Sequence, residues 1–173
     1  NSLNAGAQLA MMEDAEQTGI FVEKMADFFR YNVKKGQEDA TLGEELEAVD
    51  NYIYILNVRF AGDIHFSKDV DESLENVRVP SMILQPIVEN AVNHGIRDIE
   101  WEGKIHLTVT GDADYIRISV KDNGKGMTPE QIEGVLSGNK EYRKEEGDST
   151  GIGMNNVISR LELYYEEKGL VEI

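Results

Sequence analysis

An α+β fold is predicted, in which a helical hairpin precedes one α/β domain. Three observations lead there. Apolar residues recur at alternating spacings of four and three along residues 15–33 and again along 42–60, as they do on helices that bury a seam. Further on, "KIHLTVT" and "YIRISVK" alternate apolar with polar residues in the manner of half-buried strands. Helical periodicity returns between and after these stretches, and 173 residues are enough for one core with a smaller helical appendage.

From about residue 6 to 35 no Pro interrupts the chain, and Ala15, Gly19, Val22, Ala26, Phe29 and Val33 form the first seam. "KKGQEDA" breaks it. "TLGE", Thr41 to Glu44, reads as a capping box that opens a second helix, with Leu42, Leu46, Val49, Ile53, Leu56 and Phe60 as its seam. Two such helices joined by a short turn make an antiparallel hairpin. Phe21, Met25 and Phe28 widen the first stripe beyond the needs of one partner, so two hairpins pairing into a four-helix dimer is the expected remedy. Packing against the rest of the chain is the alternative.

The domain boundary is expected near residues 61–63, with the hairpin at 1–60 and the second domain at 64–173. "IHFSKDV" reads as a short strand. In "VPSMILQPIVENAVNHGI", Met82, Ile83, Ile87, Val88, Ala91 and Val92 fall on one helical face, with Pro86 in the helix's early part. The strands around Ile105, Leu107, Val109 and around Ile116, Ile118, Val120 flank the turn "GDAD" and form a β-hairpin. "TPEQ", Thr128 to Gln131, starts a short helix through an N-cap Thr, a Pro at the first helical position and a Gln three residues after the cap. Residues 137–150 are polar and read as a mobile loop, after which "GIGMNNVISRLELYYEEKG" enters a last helix through a Gly pair and leaves it at Gly169.

The composition narrows the chemistry. A formal net charge of −16, from 33 acidic and 17 basic residues, argues against a broad footprint for nucleic acid or anionic lipid. No run approaches the ~20 apolar residues of a membrane span. The lack of Cys removes disulfides, thiolate zinc sites and Cys nucleophiles, and fits a reducing compartment. The opening "NSLN", without Met or a signal peptide, reads as the start of a piece of something longer.

Three short stretches carry the candidate site. Asp122, where a strand ends, can accept a hydrogen bond from an exocyclic amine such as that of adenine, and Gly124 and Gly126 let the backbone approach a flat ring. Asp-Asn-Gly is also ordinary turn chemistry. In "ENAVNHG", Asn90 offers a hard neutral oxygen suited to Mg²⁺, and Asn93 and His94 lie three and four residues on, in reach of the same phosphates. A packing amide and a helix-end His would look the same. In "TGIGM", Gly151 and Gly153 at a helix entry can present N–H groups to an anion, or form a plain loop.

In order, "ENAVNHG", "DNGKGM" and "TGIGM" resemble the N, G1 and G2 boxes of the GHKL (Bergerat-fold) ATP-binding domain. Within that superfamily, "RF" after the second helix, "VPSMILQPIVENAVNHGI" and "GIGMNNVISRLELYY" resemble sensor histidine kinases of the YesM/LytS type. The resemblance covers essentially the whole chain. It implies an α/β sandwich of the Bergerat type with ATP between helices and sheet, residues 128–150 as the lid, and the hairpin as a dimerisation bundle. By motif match, Asp122 would bind the adenine amine, Asn90 the Mg²⁺, and Asn93 and His94 the phosphate region. Gly124, Gly126, Met127, Thr150, Gly151, Gly153 and Met154 would complete the nucleotide site.

The resemblance also sets expectations beyond the pocket. The family's phosphoacceptor stands in a motif resembling "HFLFNSLN", so it would lie about four residues before Asn1, and this piece alone would not autophosphorylate. The family usually continues past "LVEI" with a strand that completes the sheet, so weakened ATP affinity or an exposed sheet edge is expected here. ATP-hydrolysing relatives of gyrase and Hsp90 carry a Glu four residues before the Mg²⁺-binding Asn. Here that position is Pro86, and Glu89 points about 100° from Asn90 on a helix. Transfer to a His is favoured over hydrolysis. Lys140, Arg143 and Lys144 are candidate γ-phosphate contacts from the lid, or simply solvated charges. Arg160 matches the family pattern without an evident role beyond packing or a salt bridge.

The expected protein is therefore the cytoplasmic kinase core of a two-component sensor. It would be a homodimer through the hairpin that uses ATP and Mg²⁺, partners a response regulator receiver domain, takes no nucleic acid, and meets the bacterial membrane only through an upstream segment. Another GHKL ATPase or serine kinase, or a non-enzymatic dimerisation and docking module with a vestigial pocket, are the rival readings.

Overall fold

The computed structural model describes residues 9, 12, 15–34, 39–60, 64–96, 99–112, 114–137 and 150–173. Helix α1 (Ala15–Lys34) is followed by β1 (Asp39–Thr41), α2 (Leu42–Arg59) and β2 (Ile64–Val70), and then by a 3₁₀ turn (Glu72–Leu74) and β3 (Arg78–Pro80). Helix α3 (Leu84–Asn90) runs into a π-turn (Ala91–Ile96), and β4 (Gly103–Gly111), β5 (Ile116–Asp122), α4 (Pro129–Ser137) and α5 (Thr150–Tyr165) complete the order.

The sheet has the order β2-β4-β5, parallel between β2 and β4 and antiparallel between β4 and β5. Period-2 alternation gives it one apolar face, where Ile105, Leu107 and Val109 are buried and Leu107 sits opposite Val120. The Asp112 carboxylate accepts the Asp114 and Tyr115 N–H groups at 2.9 and 3.0 Å and closes the expected β4–β5 turn. Both expected capping boxes are present. Thr41 and Glu44 exchange bonds of 3.1 and 2.8 Å at α2, and Thr128 and Gln131 exchange bonds of 3.3 and 2.8 Å at α4.

One core joins helices to sheet. Leu42, Leu46, Val49, Ile53 and Leu56 of α2 pack with Val88, Val92, the buried face of β4 and Val157 of α5. This corrects the expected packing of the hairpin, because the α2 seam is taken up by the α/β core and α1 must meet another face of α2. There Phe21 and Met25 pack on Ile55, flanked by Phe28, Tyr54 and Val58. The seam named from the sequence points outward instead, and Val22, Phe29 and Val33 are exposed. Burying Phe21 and Met25 contributes about 1.5–3 kcal/mol each, enough to dock α1 on this face.

Other expectations shift by a few residues. β1 and β3 pair antiparallel, Ala40 opposite Val79, although three-residue strands leave almost no periodic trace. The helix expected from Met82 begins at Leu84, because Met82 takes a left-handed φ of 61°. The last helix ends at Tyr165 rather than Gly169, where Glu166 turns left-handed at φ 54°. The expected loop with Lys140, Arg143 and Lys144 lies outside the described residues, as do "NSLN" and most of "KKGQ".

Candidate functional site

Strand β5 delivers Asp122 to the core-facing side of the sheet, on the same face as Ile118 and Val120 and opposite Ile105. Its Oδ1 accepts the Gly124 N–H at 2.9 Å, a turn that fixes the carboxylate. Among the described residues none donates to Oδ2. Asn123 holds the same turn from below: its Oδ1 accepts the Lys104 N–H at 2.7 Å and its Nδ2 donates to the Glu102 carbonyl at 2.9 Å. Trp101 Nε1 donates to the Asn123 carbonyl at 3.0 Å, setting an exposed indole beside the end of β5.

The second wall is the π-turn that follows Asn90. Three and four residues after Asn90 would place Asn93 and His94 on its face of an α-helix, but the widened turn breaks those α-helical offsets, which is a correction to the spacing expected from the sequence. Asn90 and His94 are half-buried, Asn93 is exposed and Gly95 is buried. The widening lays Gly95 directly on Asp122, and a Cβ there would stand 2.6 Å from Oδ1. A Cβ on Gly124 would stand 2.2 Å from the Gly95 carbonyl oxygen, and Lys125 N–H donates to that oxygen at 3.3 Å. The two motifs are thus interlocked through glycines: a side chain at Gly124 would displace the backbone of Gly95, and one at Gly95 would displace the Asp122 carboxylate.

The third stretch arrives on α5. Gly151 and Gly153 lie in its first turn, and a Cβ on Gly153 would sit 3.8 Å from Pro86 Cβ, which places the start of α5 over α3. Thr150 begins this helix, Met154 and Val157 are buried beneath it, and Met127 is exposed beyond Gly126, itself left-handed at φ 67°. The structure therefore brings together the Asp122 and Gly124 turn with the 90–95 segment, and α5 with α3. Glu89 is committed elsewhere: its Oε1 accepts Gln85 Nε2 at 2.7 Å, and it lies near Tyr52, whose phenol is pushed up by burial and then by this carboxylate.

Sequence reasoning missed what holds α3 in place. Glu45 of α2, only 1% exposed, accepts N–H bonds from Met82 at 2.6 Å, Ile83 at 2.9 Å and Leu84 at 2.8 Å, and a bond from the Tyr31 hydroxyl of α1. Arg160 of α5 donates to the Ser81 carbonyl in the same segment, which supplies the role the sequence did not show. The available signal was position: Glu45 stands three residues after Leu42 and four before Val49, a lone acid on an apolar stripe.

Comparisons with known proteins show what the chain is similar to. A histidine kinase family model matches residues 1–64, and the family described as histidine kinase-, DNA gyrase B- and HSP90-like ATPase matches residues 77–171. The sensor histidine kinase YpdA of Escherichia coli (strain K12) is 33% identical over 173 residues, 96% of this chain and 28% of that protein. The sensor protein LytS of Oceanobacillus iheyensis is 32% identical over 149 residues, 86% of this chain and 25% of that protein. The chain thus spans about a quarter of the length of these curated relatives. A solved structure of a bacterial phosphotransferase is similar in fold, with a TM-score of 0.50 at 15% identity over 96% of this chain and 79% of that one.

Proposed function

Since this chain belongs to the family of histidine kinase-, DNA gyrase B- and HSP90-like ATPases, we propose that it is the kinase core of a two-component sensor histidine kinase. It binds Mg-ATP between α3, β5 and α5, and the whole protein moves the γ-phosphoryl to one of its own histidines and on to an aspartate of a response regulator. The observation that carries this reading is the interlock of Gly95, Gly124 and Asp122, which fixes a carboxylate at a strand end with two glycines packed against it.

In this reading Asp122 accepts the adenine amine, Gly124 and Gly126 border the ring with Met127, and Asn93 and His94 reach the phosphates. Gly151 and Gly153, between Thr150 and Met154, present the first turn of α5 to the same phosphates. Asn90 offers one amide oxygen to Mg²⁺, and the described residues hold no cluster of three or more His, Cys, Asp or Glu. That donor set suits Mg²⁺, which takes few protein ligands and fills its shell with phosphate and water. The ion would supply charge neutralisation to the transferring phosphoryl group.

Hydrolysis is the weaker reading. Pro86 occupies the position where a water-activating Glu would be needed, and Glu89 is turned to Gln85 and Tyr52. His65 and His106 are poor phosphoacceptors, since both stand on the sheet, with His65 2.7 Å from Glu102 and His106 2.8 Å from the Ser67 hydroxyl. The family matches support a homodimer through the hairpin and a receiver domain as partner. No described helix is long and apolar enough to cross a membrane. By likeness to the sensor kinases it matches, we assign the kinase core to the cytoplasmic side and any membrane attachment to another segment of the whole protein.

The test is Mg²⁺-dependent binding of a fluorescent ATP analogue, with Asp122→Asn and Asn90→Ala alongside. Saturable binding that both substitutions abolish is expected. Binding that survives Asp122→Asn would overturn the assignment of the adenine end.

A further inference from the structure

Helix α3 is short, and its two ends are fixed by different parts of the chain. Its far end is held through the π-turn, where Gly95 lies on Asp122. At its near end the N–H groups of Met82, Ile83 and Leu84 all converge on the Glu45 carboxylate, next to the Ser81 carbonyl that Arg160 holds. Those three donors and the Tyr31 hydroxyl use both oxygens of a group withdrawn from water, so any change in one partner is felt by the rest.

Tyr31 differs from the others in what it belongs to. Its helix, α1, otherwise meets α2 through Phe21, Met25 and Phe28, contacts that are apolar and tolerate sliding. The phenol–carboxylate bond is directional and does not. Burial and then the Glu45 carboxylate push the Tyr31 phenol well above its usual range, so it remains a donor throughout the range in which a cytoplasmic protein works.

We propose that Tyr31 and Glu45 are positioning residues for the nucleotide site: the phenol fixes the carboxylate, the carboxylate fixes residues 82–84, and these set the placement of α3 and hence of Asn90. A shift of α1 along or about its axis would then alter the metal-and-phosphate end of the site while leaving the adenine end, which is built on β5 and the Gly95–Gly124 contact, in place. The inference rests on the nucleotide reading above and deepens it, since it names a route by which the hairpin governs that site.

The test compares Tyr31→Phe, which removes one hydroxyl from a half-buried ring, with the unsubstituted chain, using two probes. One is a fluorescent ATP analogue with Mg²⁺, and the other is fluorescent adenosine in EDTA. Mg-ATP affinity about three- to tenfold weaker, with adenosine affinity unchanged, is the expected result. Glu45→Gln should show a larger loss of the same kind, and Tyr31→Phe should add nothing in that background. If Glu45→Gln does not fold, Tyr31→Phe alone decides.

Unchanged Mg-ATP affinity in Tyr31→Phe would overturn the inference while leaving the nucleotide reading intact. Equal weakening of both probes would overturn it in favour of a general structural role. An unsubstituted chain that binds neither probe would overturn the nucleotide reading and this inference together.

Discussion

Gly124 stands so close to Gly95 that a single added carbon would lie 2.2 Å from the Gly95 carbonyl oxygen. The clash is with backbone, so no rotamer relieves it. Gly124→Ala must therefore pry the end of β5 away from the π-turn and break the Lys125 to Gly95 bond. The expected cost is about 2–4 kcal/mol of stability, in the range of other overpacked sites, together with loss of nucleotide binding. Thermal unfolding and the ATP-analogue titration read the two effects separately. An Ala variant as stable as the parent would mean that the contact is not held in solution.

Gly153 makes the opposite case. A Cβ there would meet only Pro86 Cβ at an ordinary 3.8 Å, and Ala is favoured over Gly in a helix by about 1 kcal/mol. Gly153→Ala should leave the melting temperature unchanged or raise it. If the first turn of α5 meets phosphates through its backbone, the same substitution should weaken Mg-ATP binding, because the new methyl enters the space between α5 and Pro86 of α3, where the nucleotide is proposed to lie. Unchanged affinity would remove Gly153 from the site.

These two glycines show how far the sequence could be read. The motifs were legible as chemistry because Asp, Asn and paired Gly at fixed intervals are informative residue types, and the strands at 105–109 and 116–120 were legible through their period. What the glycines touch was not. The clash at Gly124 is set by a residue 29 positions away, and the π-turn that creates it has no local pattern distinct from an α-helix. The hairpin misled for a related reason: both helices carry more apolar residues than one face needs, and periodicity cannot say which stripe of α1 meets α2 when the α2 seam has a second claimant in the sheet. Glu45 stood out only by its place among the apolar seam residues of α2, and its partners, the N–H groups of Met82 to Leu84, lie too far along the chain to leave a local pattern.

The outward stripe on α1 has a use if the proposed dimer forms there. Phe29 is 56% exposed and Val33 83% exposed, with Ile20 and Val22 also exposed on the same helix. Neither Phe29 nor Val33 belongs to the buried clusters, so the double substitution Phe29→Asp, Val33→Asp should leave the circular dichroism of the chain intact while shifting it from dimer to monomer in sedimentation velocity. Phe21→Asp should behave differently and undock α1 itself, since Phe21 is buried against Ile55. A Phe29, Val33 variant that sediments like the parent would place the dimer contact elsewhere.

Arg160 tests the second tether on the segment that starts α3. Its guanidinium crosses from α5 to donate to the Ser81 carbonyl, within a stretch where Ser81 is buried and Met82 is left-handed. Arg160→Ala removes a charged donor from that carbonyl and loosens α5 from the core side of the turn. A loss of about 1.5–3 kcal/mol is expected, the range for hydrogen bonds to charged groups, read as a lower urea midpoint without a change in slope. Arg160→Lys should recover only part of it, because the ammonium keeps the charge but not the reach and planar geometry of the guanidinium. Full recovery by Lys would show that charge alone, not the directed bond to Ser81, is what α5 contributes here. A variant within about 0.5 kcal/mol of the parent would show that Glu45 holds the segment without help from α5.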